Sequence, residues 1–124
     1  MHREGIIYSF TGIYKPATIV FVKAATLSAL AEPNRFKIVE LLREQPRTVN
    51  QLAELLQIRQ PQVSKHLRIL HEADLVSIKP VAQQRIYMLN PSPFIDLENW
   101  AESFQQHWDQ KLSNLEAFLA KNQS

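Results

Sequence analysis

Between Thr48 and Leu75 the chain carries two helical apolar patterns in succession, with almost nothing between them. The first comprises Leu52, Leu55 and Leu56 and ends near Gln57. It starts at Thr48-Val49-Asn50-Gln51, the Thr-x-x-Gln form of a capping box. The second pattern runs from about Gln60 to Ala73, with Ile58-Arg59-Gln60 as the turn and Pro61 near its start. At 100° per residue Val63, Leu67 and Leu70 share one face, and His66 lies close to its edge. Lys65, Arg68 and Gln62 fall on the opposite side, with Ser64 at the flank. Two short helices, a tight turn and a basic outward face on the second form the pattern of a helix-turn-helix. The second helix of such a motif can enter the major groove of DNA.

The flanking segments extend this pattern. Ala24–Ala31 predicts a short apolar helix, and Pro33 opens another that runs to about Glu44 before Pro46 ends it. After the second helix, Leu75–Pro80 and Arg85–Leu89 alternate around the polar turn Val81-Ala82-Gln83-Gln84, which predicts a β-hairpin. A hairpin in that place is the wing of a winged-helix domain, its tip formed by Gln83-Gln84-Arg85. From Pro93 one long helix is expected to about Lys121. Along it Leu97, Trp100, Phe104, Trp108, Leu112, Leu115 and Leu119 recur in steps of three and four, with Phe118 alongside. A three-helix head with a wing is too small to cover that stripe, so pairing with a second chain is expected. The helix at Ala24–Ala31, through Leu27, is its expected neighbour in the interface. Two heads on one two-fold axis suit a palindromic site.

Charge is distributed to match. From Gln57 to Asn90 five bases, Arg59, Lys65, Arg68, Lys79 and Arg85, face only Glu72 and Asp74, a balance of +3. From Pro91 to Ser124, Lys111 and Lys121 meet Asp96, Glu98, Glu102, Asp109 and Glu116, a balance of −3. A basic middle and an acidic tail suit contact with phosphate by one part only. The chain has no cysteine, which excludes disulfides and thiolate metal sites and makes the cytoplasm the expected location. Catalysis is not expected. Ser64 and His66 point to different faces of one helix, and two glycines, Gly5 and Gly12, cannot build a phosphate loop.

Residues 1–23 differ in kind. GIIYSF and TIVFV are short aromatic and β-branched runs, neither long enough for the ~20 apolar residues of a membrane span. Three alternatives stay open for this arm: disorder, an added strand or dimer-clasping arm, or an upstream artefact of start-site choice.

Leu30–Leu42, Thr48–Val76 and Gln83–Leu89 together resemble the ArsR-type winged-helix transcriptional repressors, and Gln60–Leu67 with Leu70 is close to the family's recognition helix. The resemblance spans residues 24 to near the C-terminus. It implies a mainly α fold with a small β-hairpin, dimerising through its N- and C-terminal helices. It also implies a repressor that binds operator DNA and is released by a signal. Three departures stand out. Arg59 occupies a position where many members have serine, a better N-cap. The wing lacks the glycine usual near its tip. The cysteine pair of metal-sensing members is absent around Gln51–Leu55, and the positions matching a zinc set in other members hold Asp96, Glu98, Asp109 and Leu112, three oxygen donors and an apolar side chain. No metal or cofactor is therefore expected.

Under the resemblance, Gln60, Gln62, Ser64, Lys65 and Arg68 are expected to read bases, while Thr48, Arg59, Gln84 and Arg85 hold phosphates. Leu27, Leu97, Trp100, Phe104, Trp108, Leu112 and Leu115 form the expected dimer interface. Residues 24–124 make the winged-helix domain, with the dimerisation helix at about 93–121. The alternative is a winged-helix protein-interaction module that binds no specific DNA.

Overall fold

The computed structural model describes residues 6–10 and 18–122. Among these residues the chain forms, in order, β1 (Ile6–Phe10), β2 (Thr18–Val22), α1 (Ala24–Ala31), α2 (Pro33–Glu44), β3 (Arg47–Thr48), α3 (Val49–Leu56), α4 (Gln60–Glu72), β4 (Val76–Val81), β5 (Gln84–Leu89) and α5 (Pro91–Lys121). The core forms where α1 to α4 bring their apolar faces together against β4 and β5. Ile38 and Leu42 from α2, Leu52 and Ala53 from α3, and Val63, Leu67 and Leu70 from α4 meet Leu75, Val76 and Tyr87 there. The α4 residues Val63, Leu67 and Leu70 are fully sequestered, as are Ile38, Leu52 and Leu75, so the inward face of α4 is held rigidly.

Several helix ends have a local chemical reason. Glu32 caps α2 by accepting from the Arg35 backbone N–H at 2.8 Å, while Pro33 needs no partner for an N–H it lacks. The capping box of α3 forms as the sequence predicts: Thr48 Oγ1 accepts from Gln51 N at 3.2 Å, and Gln51 Oε1 accepts from Thr48 N at 3.0 Å. α3 stops at Gln57, which takes the left-handed conformation with φ 59°. α4 ends in a Schellman motif: Leu75 N–H donates to Leu70 O at 2.9 Å and Asp74 N–H to His71 O at 3.0 Å. Asp74 occupies the left-handed position that glycine usually takes, with φ 63°. Asn90 then ties this corner to α5. Its side-chain N–H group donates to Asp74 O at 2.9 Å, and its backbone N–H donates to Leu75 O at 3.0 Å. The end of α4, the base of β4 and the start of α5 are thus one hydrogen-bonded junction.

The sheet of the head is antiparallel in the order β3-β5-β4, with Val76 opposite Leu89 and Val81 opposite Gln84. It contains more than the expected hairpin, because Arg47 and Thr48 pair with Tyr87 and Ile86 as a third strand. The pairing also runs further up the wing than expected. Only Ala82 and Gln83 remain as the turn, so Gln84 and Arg85 belong to β5. Pro80 is tolerated because β4 is an edge strand.

Two sequence expectations about helices are corrected. Leu55 is 52% exposed rather than buried. The eight residues of α3 turn Leu52 and Ala53 inward with Val49 and Leu56 beside them, and Leu55 lies about 100° from the middle of that face. α5 begins at Pro91, two residues earlier than expected, since both Pro91 and Pro93 fit a first helical turn.

In the arm, β1 and β2 pair antiparallel with Ile6 opposite Val22 and Phe10 opposite Thr18. β2 runs beside α5, and Val22 is buried. Residues 1–5 and 11–17 of the arm lie outside the described residues.

Candidate nucleic-acid interface

The outward side of α4 carries cations that are free to act on a partner. Gln60, Gln62, Ser64, Lys65 and Arg68 are all exposed. Among the described residues neither Lys65 nor Arg68 forms an ion pair, so both charges remain for a ligand. Behind them Val63 and Leu67 anchor the helix with no exposed area. A cationic row on a rigid helix loses less entropy on binding than one on a loop.

The helix start is unusual. Arg59 is the N-cap, and its side chain makes no capping hydrogen bond. The first turn of α4 limits the penalty. Pro61 has no N–H, and the N–H of Gln62 turns back onto Arg59 O at 3.0 Å, which leaves the N–H groups of Arg59 and Gln60 as the orphan donors among the described residues. An uncapped N-terminus with an arginine beside it favours an anion. One side chain of this row has a neighbour: the Gln60 amide N–H donates to Asn50 Oδ1 on α3.

The four residues expected at phosphates are found in three places. Arg59 sits at the start of α4, and Thr48 at the start of α3, where its hydroxyl oxygen serves the capping box and its O–H is left to donate. Gln84 and Arg85 are exposed on the first residues of β5. Between the wing strands Ala82 has φ 56°, a left-handed conformation without the glycine that would ease it.

His66, which the helical pattern puts at the edge of the buried face, proves to face α2. Its Nδ1 lies 3.6 Å from Glu32 Oε2, the same oxygen that caps α2. Recognition helix and α2 cap are therefore adjacent, which no spacing in the sequence reveals.

The residues expected in a chain–chain interface divide into two groups. Leu97 and Trp100 are half-buried within the chain, Leu97 against a small cavity that Val22, Thr26 and Pro93 also line. Trp100 packs edge-on to Phe104 with ring centroids 5.1 Å apart. Beyond them the helix is bare: Phe104 is 44% exposed, Trp108 61%, Leu112 55% and Leu115 52%, and Leu27 on α1 is exposed as well. Among the described residues no three His, Cys, Asp or Glu side chains gather as a metal site, and no helix is long and apolar enough to cross a membrane.

A capped short helix, a tight turn, a rigid cationic helix and a wing hairpin define a winged helix-turn-helix regulator of transcription, a molecule whose chemistry is recognition. Comparison with known proteins agrees. Residues 32–77 match the family model described as bacterial regulatory protein, arsR family. The transcriptional repressor SdpR of Bacillus subtilis is 34% identical over 84 residues, covering 68% of this chain and 93% of that protein. The HTH-type transcriptional regulator Rv2034 of Mycobacterium tuberculosis is 38% identical over 76 residues, covering 61% of this chain and 71% of its own. A crystal structure of a possible transcriptional regulator for arsenical resistance superposes with a TM-score of 0.59 at 33% identity, covering 73% of this chain and 95% of that one. The chain belongs to the ArsR family.

Proposed function

We propose that this regulator is a homodimeric, cytoplasmic repressor that reads a palindromic operator in double-stranded DNA. The observation that carries the reading is the outward row of α4, where Lys65 and Arg68 have no ion-pair partner among the described residues, on a helix anchored by Val63, Leu67 and Leu70. Arg68 and Lys65 suit guanine O6 and N7, and Gln60 and Gln62 suit adenine, with Ser64 between them. Thr48, Arg59, Gln84 and Arg85 hold phosphates and fix register.

Dimerisation is supported by the bare apolar run from Phe104 to Leu119, too large a patch for a solitary chain. The dimer helix is α5, residues 91–121, and the domain spans residues 24–124, preceded by the arm of residues 1–23. The junction at Asn90 links that helix to the end of α4, so dimer geometry would set the spacing of the two heads. Repression is inferred by analogy with SdpR, a named repressor.

The test is a duplex titration over a range of salt. Arg68→Ala should lose ~1–3 kcal/mol at one base position and little elsewhere. Arg85→Ala should weaken binding on every sequence and lower the salt slope by about one per head. Operator affinity unmoved by both changes would refute the assignment of this face. Binding without salt dependence would favour a protein-docking module instead.

A further inference from the structure

Asn50 is an exposed residue at the second position of α3, ten positions before Gln60 in the chain. It takes no part in capping its own helix, which Thr48 and Gln51 do between them. Its Oδ1 instead accepts a hydrogen bond from Gln60 Nε2 at the first position of α4. The bond joins the two helices of the motif side chain to side chain, and it lands on a residue of the outward row.

We infer that Asn50 is a positioning residue that sets Gln60 to prefer adenine over guanine. The inference rests on the reading of Gln60 as a base contact. A free glutamine amide has two N–H donors and a carbonyl acceptor. Both donors together can serve guanine, whose major-groove edge offers two acceptors, N7 and O6; one donor and the carbonyl serve adenine, which offers N7 and the N6–H donor. Once one N–H is given to Asn50, a single donor and the carbonyl remain. That set matches adenine. Against guanine it leaves the amide oxygen facing O6, two acceptors with no proton between them. The tie also removes rotamer freedom from an exposed side chain before DNA arrives, so less is lost on binding.

The test uses the full-length chain and a pool of duplexes randomised at every position, with base preference read at each position for wild type, Gln60→Ala, Asn50→Ala and Asn50→Asp. Thermal melts confirm that each variant folds, and preference ratios do not depend on the active fraction. Gln60→Ala should erase the adenine preference at one position of each half-site. Asn50→Ala should cut the adenine-over-guanine ratio at that same position about tenfold, the scale of a bidentate contact. Asn50→Asp, which keeps the acceptor, should retain it. The inference falls if Asn50→Ala lowers affinity equally for all four bases, or leaves the ratio intact while Gln60→Ala abolishes it; in the latter case the reading of Gln60 survives. If Gln60→Ala changes no position, both fall.

Discussion

Trp108 offers the sharpest test of the chain–chain interface. It sits in the bare part of α5 and is 61% exposed in the single chain. A buried aromatic removes about 150–250 Å² from water, so the area Trp108 still shows corresponds to roughly 90–150 Å². At about 25 cal/mol per Å² that is about 2–4 kcal/mol per copy if the partner covers it fully. A two-fold interface contains the residue twice, and coverage of half the area then gives about 2–4 kcal/mol per dimer. Trp108→Ala should therefore raise the dimer dissociation constant by about 30- to 1000-fold, at about 1.4 kcal/mol per tenfold. Sedimentation equilibrium over a range of protein concentration measures this directly. Gln110→Ala serves as control, since it is exposed and lies on the opposite side of the helix. The side chain of Trp108 is not part of the buried core of the head, so the monomer should keep its helical circular dichroism. A dissociation constant for Trp108→Ala within threefold of the control, or a monomeric wild type at tens of micromolar, would rule out this face of α5 as the dimer interface.

Two further substitutions probe the oddities of the recognition unit. Arg59→Ser should install the missing N-cap of α4 and raise unfolding stability by about 0.5–1 kcal/mol in urea titration, while lowering the salt slope of DNA binding by about one per head. A fall in unfolding stability instead would show that Arg59 is structurally required. Ala82→Gly should relieve the left-handed turn of the wing, where φ is 56°, and raise the urea midpoint by an amount worth up to ~1 kcal/mol. Unchanged stability would mean that the turn carries no such strain.

How far the chain is legible depends on the range of each interaction. The capping box at Thr48 and Gln51 is legible because both partners lie within one helical turn. The buried face of α4 is legible because thirteen residues give the period room to show, and Val63, Leu67 and Leu70 all prove sealed. The eight residues of α3 do not give that room. There a leucine at position 55 looks like core, while the small Ala53 is the residue that turns inward. β3 is invisible because two residues have no period, and they form a strand only by meeting β5 some forty positions later. The wing turn escapes because a left-handed alanine lacks the glycine that marks such positions. Within the interface, the outward placement of Lys65 and Arg68 comes directly from the helical pattern. The Asn50 to Gln60 tie and the approach of His66 to Glu32 are tertiary contacts that one sequence does not encode in any local spacing.

On the proposed function, α4 and the wing read duplex DNA as a symmetric pair. Selection of genomic fragments by the purified full-length chain, with sequencing of the retained DNA, puts this to the test. A symmetric pair of heads should enrich one inverted repeat, its half-sites about one helical turn (10–10.5 base pairs) or a multiple apart, with retention falling steeply as salt rises. Enrichment of nothing over the input, at low and high salt alike, would contradict it.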